Sequence, residues 1–282
     1  MLTNDTNTEP SKYTFDNADD QGPRMLGLLA DILDKHSISV LAGPHVGVGP
    51  GWRCLDIGPG GGSITRWLSD RVGPDGSVTA IDLQPDHVTA GGNVEVVRGD
   101  IRSIDLPADC YDLIHARLVL VHLAEPDRVL ERIVRALAPG GRLVLSEWDV
   151  LTWQDWLLQA PSESADAAFE AFQQALFRVL ADNGADLSWA HDVPQAIGAV
   201  GLDHVSTVGF TELAAGGDPM CLLHESNSLQ LHHKLVATGL VTADQLRILR
   251  EAMRDPQTRV YPYQMFTTVG RRPDRAAPPP SR

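Results

Sequence analysis

The chain has 282 residues, of which 43% are hydrophobic, and a formal net charge of −14 at pH 7. Because a phosphate backbone is bound by clustered lysine and arginine side chains, this acidity argues against nucleic acid as a partner. No apolar run is long enough to cross a membrane, and the polar start does not resemble a signal peptide. We therefore expect a cytoplasmic protein that has no membrane contact.

The pattern along the chain divides it into four parts. Residues 1–40 predict an N-terminal segment with a helix that begins near Arg24. Residues 41–150 alternate short apolar runs with helical or loop stretches, and residues 151–272 add helices and two further runs in a less regular order. The proline-rich residues 273–282 are expected to be disordered.

Seven short apolar runs predict seven strands, at residues 53–57, 77–81, 94–97, 111–115, 142–147, 203–213 and 259–269. Helical stretches between them predict βαβ units, so we expect an α/β fold with a doubly wound parallel sheet. Pro262 lies inside the last run. It predicts an edge position or a bulge, since proline cannot donate a ladder hydrogen bond.

Helical patterns cover residues 63–72, the stretch from Pro126 to the breaker at 139–141, and most of 163–183, 190–200 and 220–255. The later helices predict a cap beside the sheet. Between the second and third strands, residues 86–92 are few and broken by glycines. This connection is therefore predicted to be short or loop-like.

The glycine-rich stretch LDIGPGGGSIT follows the first predicted strand. Gly58, Gly60 and Gly62 permit a sharp turn and a close approach to a ligand, and the helix N-terminus near Ser63 favours an anionic ligand group. The spacing is not that of a dinucleotide fingerprint, and the Gly-Lys-Ser/Thr of a phosphate loop is missing. Asp56, two residues before the first glycine, would repel pyrophosphate but suits a ligand with ammonium or sulfonium charge.

Two further carboxylates end the next two predicted strands. Asp82 is placed to accept hydrogen bonds from both hydroxyls of a ribose. Asp100 is placed to accept from an adenine amino group, with Ile101 packing beside the ring. Since carboxyl ends of parallel strands meet at one sheet edge, the three carboxylates indicate an adenosine-bearing ligand with a cationic end.

Residues 52–147 resemble a class I S-adenosylmethionine-dependent methyltransferase of the small-molecule type. LDIGPGGGS resembles the glycine-rich first motif of that family, and AIDL, which ends on Asp82 and Leu83, resembles its ribose-binding end. RGDI resembles the adenine-side motif, YDLIHARLVLVHL the fourth strand, and LAPGGRLVLSEWD the turn and fifth strand. These motifs stand in the family's order over about a third of the chain.

The resemblance implies a Rossmann-like, seven-stranded and mostly parallel sheet whose last strand is antiparallel, with S-adenosylmethionine as the cofactor. It also implies that Ala116 and Arg117 contact the methionine end, and that the segment around Tyr13 is a lid over the cofactor. Arg117 has an alternative interpretation as a surface partner of Glu125 or Asp127.

Methyl transfer to oxygen needs alignment and a base. His122, just beyond the fourth predicted strand, is the first candidate base, and the alternative is that it caps or packs against the following helix. Glu147 is the second candidate, with strand-end solvation as its alternative. His115, inside the fourth strand, is interpreted as a hydrogen-bonded core residue.

Trp148, Asp149 and Trp153 follow the fifth predicted strand and are predicted to line the acceptor pocket, although core packing is the alternative for each tryptophan. His224, His232 and His233 lie in the helical insertion. Their spacing does not match a metal site, so no metal is expected.

These observations predict S-adenosylmethionine-dependent methyl transfer to a small-molecule acceptor, most simply an oxygen of a natural-product-like compound. Methylation of a peptide or protein, a non-methylating enzyme with this fold and a cofactor-binding protein without turnover are the alternatives. The N-terminal segment and the insertion are candidate surfaces for a homodimer.

Overall fold

The fold is described from a computed structural model that covers residues 14–15, 21–152, 157–261 and 263–274. Its elements, in chain order, are α1 (Gly22–Ala42), β1 (Arg53–Ile57), α2 (Ser63–Val72), β2 (Ser77–Asp82), β3 (Val94–Arg98), β4 (Tyr111–Arg117), α3 (Pro126–Ala136), β5 (Leu137–Asp149), β6 (Leu157–Gln159), α4 (Glu163–Asp182), α5 (Trp189–Ala199), β7 (Asp203–Phe210), β8 (Ala214–Ala215), α6 (Pro219–Gln230), α7 (His232–Ala237), α8 (Ala243–Ala252), β9 (Arg259–Val260) and β10 (Gln264–Arg271).

Seven strands form the main sheet in the order β3-β2-β1-β4-β5-β10-β7. β10 is antiparallel to both of its neighbours, and the pairings among the first five strands are parallel. The predicted α/β fold with a seven-stranded, mostly parallel sheet is confirmed. The carboxyl ends of β1, β2, β3 and β4 therefore lie at one edge, as the interpretation of the three carboxylates required.

Helices cover both faces of this sheet, because successive residues of a strand point to opposite sides. Cys54 of β1 packs with Leu68 of α2 and Leu41 of α1. Leu55, the next residue of β1, belongs to the opposite core with Trp189 of α5. The sheet is thus doubly wound, as predicted.

The connection between β2 and β3 contains only a short 3-10 helix, Pro85–His87. Gly91 and Gly92 have positive φ angles of 125° and 62°, a conformation that favours glycine. The prediction of a shortened connection in this region is confirmed.

The cap has its own apolar core, which joins α4, α6, α7 and α8 to the N-terminal half of α1. A second sheet, in the order β6-β9-β8, lies in the same half of the chain. Among the described helices, none is long and apolar enough to cross a membrane.

The predicted strand at 259–269 is in fact two strands in different sheets, β9 and β10. Pro262 falls between them in the sequence and lies outside the described residues. β10 is an interior strand between β5 and β7, so the last strand does not take the expected edge position. Its pairing with β7 does contain a register irregularity between Val269 and Arg271.

Candidate active site

A cavity of about 760 Å³ lies between the carboxyl ends of the central strands and the cap. Its floor is formed by the glycine turn after β1 and by the residues that end β2, β3 and β4. Its walls come from α1, α4, α6 and α7. The volume falls within the range of roughly 300–1,000 Å³ that is usual for ligand sites.

The glycine turn can exist only because Gly58 and Gly60 carry no side chains. Gly58 and Gly60 have φ angles of +63° and +54°, and both line the cavity. A Cβ atom on Gly58 would lie 2.4 Å from a methyl group of Val119, and one on Gly60 would lie 2.9 Å from Leu26. Gly62, at +71°, caps α2 and does not line the cavity.

Asp56 lies beneath the glycine turn, which corrects the expectation that its carboxylate meets the cationic end of the ligand. Its carboxylate is 1% exposed and does not line the cavity. Thr65 of α2 donates a hydrogen bond of 2.6 Å to Oδ2, and Nδ1 of His115 lies 2.8 Å from Oδ1. Asp56 therefore ties the turn to α2 and β4, and the expectation that His115 is a hydrogen-bonded core residue is confirmed.

Asp82 does line the cavity, together with Leu83. Oδ1 of Asp82 accepts a hydrogen bond of 2.8 Å from the backbone N–H of Gln84. Burial raises the pKa of this carboxyl, because the charged form loses solvation. A hydroxyl donor in the cavity would stabilise the ionised form.

Asp100 and Ile101 also line the cavity. Arg102, which sequence reasoning missed, donates from Nε and Nη2 to both oxygens of Asp100 at 2.6–3.0 Å. Burial opposes ionisation of Asp100, but the hydrogen bonds from Arg102 outweigh it and lower the pKa. The arginine two residues later in the chain is the signal that could have revealed this pair.

Arg117 lines the cavity, whereas Ala116 is buried in the core and does not. The guanidinium of Arg117 donates hydrogen bonds of 2.9 Å to Asp34 and to Ser37, both in α1. The alternative partners Glu125 and Asp127 were wrong. Arg117 instead joins the end of β4 to the N-terminal helix.

His122 ends a 3-10 turn, Leu120–His122, and lines the cavity. Burial lowers the pKa of its imidazole to about 4, so the ring is neutral at pH 7. The ring of Phe15 meets it edge-on, with 6.3 Å between the centroids. A neutral imidazole can accept a proton, which is the property required of a base.

Glu147 lies behind this turn and does not line the cavity, which corrects its prediction as the second candidate base. Its Oε1 accepts hydrogen bonds from the backbone N–H groups of Leu120 at 3.0 Å and Val121 at 3.4 Å. Burial raises the pKa of the carboxyl to about 8. Glu147 therefore supports the turn that carries His122.

Trp148 lines the cavity and meets Tyr263 edge-on at a centroid distance of 5.1 Å. Asp149 does not line it. Its oxygens accept from Leu151 and Thr152 and lie 3.0 Å from Nε2 of His191, which corrects the prediction of a pocket role. Tyr13 and Trp153 lie outside the described residues.

The comparisons with known proteins agree with this geometry. Residues 55–145 match a family model described as a methyltransferase domain. Over 112 residues the chain is 32% identical to the ubiquinone/menaquinone biosynthesis C-methyltransferase UbiE of Ectopseudomonas mendocina, covering 36% of this chain and 44% of the relative. The chain spans less than half the length of this curated relative.

Two solved structures share the fold. Phosphoethanolamine N-methyltransferase 2 of Haemonchus contortus, in complex with phosphomonomethylethanolamine and S-adenosylhomocysteine, has a TM-score of 0.56 at 15% identity, covering 91% of this chain and 58% of that one. A candidate methyltransferase of Bacillus halodurans has a TM-score of 0.54 at 16% identity, covering 85% and 99%. Residues 55–145 therefore carry a methyltransferase domain, and the chain has the fold of these two structures.

The cap supplies much of the cavity wall, and sequence reasoning missed these residues. They line it from three helices and from the segment before β10: Leu176, Phe177, Leu180, Leu223, Asn227, Lys234 and Tyr263. The sequence shows only that their helices are amphipathic. Which of the apolar faces meets the cavity depends on how the cap packs onto the methyltransferase domain.

Proposed function

We propose that this protein transfers the methyl group of S-adenosylmethionine to an oxygen of a small, largely apolar acceptor. The observation that carries the proposal is the continuity of one cavity. It runs from the glycine turn and Asp82 to an apolar chamber under the cap, and the neutral His122 lies on its wall.

The residues at the strand ends suit the cofactor. Asp82 presents a partly desolvated carboxylate with apolar Leu83 beside it, and Ile101 offers an apolar surface one strand further out. In this proposal Asp82 accepts from the ribose hydroxyls, and Asp100 and Ile101 lie on the adenine side. The glycine turn faces the methionine end, and Arg117 closes that end together with α1.

S-adenosylmethionine supplies an electrophilic methyl group, and the chain supplies position, shielding and a proton acceptor. The cap and α1 hold the acceptor in line with the methyl group and keep water out. His122 accepts the hydroxyl proton as the oxygen is methylated. Glu147 keeps the turn of His122 in place from outside the cavity.

The helices that cover the cavity favour a discrete, natural-product-like small molecule as the acceptor, rather than a peptide. Residues of α1, α4 and α6 lie across the acceptor end. A peptide acceptor would need a groove through this cover. Carbon methylation is the second candidate, because the matched curated relative is named a C-methyltransferase.

The test is incubation of the protein with S-adenosylmethionine labelled with ¹³C in its methyl group and with a panel of phenols, aliphatic alcohols and amines. We expect labelled methyl ethers, which are separable by NMR shift from C-methyl and N-methyl products. If only C-methyl products formed, the methylated atom would be carbon and not oxygen. If neither S-adenosylmethionine nor its demethylated product bound in calorimetry, the proposal would be wrong.

A further inference from the structure

The acceptor end of the cavity is lined mainly by apolar side chains, with few polar groups among the described residues of the cap. Two of these polar groups are already engaged. The ammonium of Lys234 donates to the backbone carbonyl of Thr14 at 3.0 Å, and the hydroxyl of Tyr263 donates to Oε1 of Gln173 at 2.8 Å.

Asn227 differs from both. It lies on α6, is 6% exposed and lines the cavity. Among the residues that the structure describes, its Oδ1 has no hydrogen-bond partner. A buried amide oxygen without a partner is costly, so a donor on a bound molecule would stabilise both the complex and this side chain.

The neighbouring residues of α6 show that the cavity-facing position is specific to Asn227. Ser226 is more deeply buried, also has an unpartnered hydroxyl among the described residues, and does not line the cavity. Ser228 is buried and donates to the backbone carbonyl of Glu225 at 2.7 Å. Asn227 alone of these three side chains is placed to meet an acceptor.

The acceptor character of Oδ1 favours a neutral donor as the partner of Asn227. Arg117 is held by Asp34 and Ser37, and Lys234 by the carbonyl of Thr14. An anionic group near Oδ1 of Asn227 would bring a second acceptor oxygen against the first, which is unfavourable in a buried site. A hydroxyl, which can donate, satisfies Oδ1 without bringing in charge.

The aromatic walls favour a ring system. Tyr263 meets Trp148 edge-on at 5.1 Å and lies 6.2 Å from Phe177, and all three line the cavity. Such walls pack well against the faces and edges of another ring.

We propose that Asn227 is a specificity-determining residue that binds a second, neutral hydroxyl on the ring system of the acceptor, distinct from the group that is methylated. This inference rests on the proposed function, because it treats the capped chamber as the acceptor site. It names the substrate class as apolar rings that carry at least two hydroxyl groups.

The test is the binding of 2,7-dihydroxynaphthalene and 2-naphthol to the full chain loaded with S-adenosylhomocysteine, measured by calorimetry. We expect the dihydroxy compound to bind about tenfold more tightly, the value of one well-placed hydrogen bond. Asn227→Leu removes the preference, and Asn227→Asp, which retains an acceptor oxygen, keeps it. Ser226→Ala, which removes a polar atom outside the cavity, is the matched control and also keeps it.

Thermal unfolding and the affinity for S-adenosylhomocysteine are measured for each variant, so that loss of folding is separated from loss of recognition. The wild-type preference is itself a test that needs no variant. Equal affinity of the wild type for the two probes, no binding of either, or a preserved preference in a folded Asn227→Leu protein would each overturn the inference. Binding with the expected preference but no methyl transfer to any acceptor would instead contradict the proposed function.

Discussion

The carboxyl group of Glu147 accepts a hydrogen bond of 3.0 Å from the backbone N–H of Leu120. Glu147 belongs to β5, and Leu120 begins the 3-10 turn that ends at His122. The geometry of a cavity residue thus depends on a side chain from another strand that does not itself reach the cavity. This division of roles leads to the first two predictions.

Glu147→Gln should change the pH dependence of stability. The pKa of Glu147 is raised to about 8 in the folded state, so folding binds a proton between the ordinary value of 4.5 and that pH. The free energy of unfolding therefore falls as pH rises through this range. Glutamine keeps an acceptor oxygen and cannot ionise. The free energy of unfolding of the variant, relative to that of the wild type, should therefore rise by about 2–4 kcal/mol from pH 5 to pH 9. Urea unfolding of both proteins at the two pH values measures this difference, and a constant difference would contradict it.

His122→Ala should lower turnover by about a hundredfold or more while the affinity for S-adenosylmethionine is unchanged. In the wild type, turnover should fall as pH approaches 4, where the buried imidazole becomes protonated, and not near the ordinary value of 6.5. Steady-state rates against pH and calorimetry with the cofactor measure both. His45→Ala, at an exposed histidine, is the control. Near-normal turnover of His122→Ala would remove it as the base.

Asp82→Ala should weaken binding of S-adenosylmethionine by about 1.5–3 kcal/mol, because hydrogen bonds to an ionised acceptor are lost. Calorimetry with the cofactor measures the change. Asp86→Ala is a close control, since Asp86 is exposed on the same connection and pairs with Arg98 at 2.7 Å. An unchanged affinity of Asp82→Ala would mean that the ribose lies elsewhere.

Asp56→Ala should lower the free energy of unfolding more than it lowers the affinity for the cofactor. Removal of this buried carboxylate leaves Thr65 and His115 without their acceptor, which costs about 3–5 kcal/mol when a buried pair is broken. Chemical unfolding without ligand measures the loss. If the Asp56→Ala protein were fully stable but bound the cofactor more weakly, the result would instead support the direct ligand contact that the sequence predicted.

The main sheet was predictable because each strand and helix leaves a local pattern. The apolar run before Gly58 and the apolar run that ends at Asp82 both follow the period of buried strands. The glycine turn was equally predictable from the sequence, since its positive φ angles restrict the residue type at those positions. The break in the last predicted strand was not, because an apolar run does not indicate which of two sheets it joins.

The carboxylates show where local reasoning ends. Asp56 and Asp82 both lie near the carboxyl ends of adjacent parallel strands, but Asp56 is level with Ala80, two residues before Asp82. Asp56 therefore lies beneath the turn, whereas Asp82 faces the cavity. Asp56 is held by His115, which is its direct neighbour in the pairing of β1 with β4. These strands are far apart in the sequence, so the pair exists only once the strand order is set.

The sequence by itself determined most strands of the main sheet, the glycine turn, the acidic residue that ends β2 and the shortened connection after it. Each of these depends on the backbone preferences and burial of adjacent residues. Only the tertiary structure decided that Glu147 supports His122, that Asp149 pairs with His191, and that Asn227 faces the cavity. Each of these outcomes depends on contacts between segments distant in the chain, and the packing of the whole domain sets which side of a strand or helix meets the ligand.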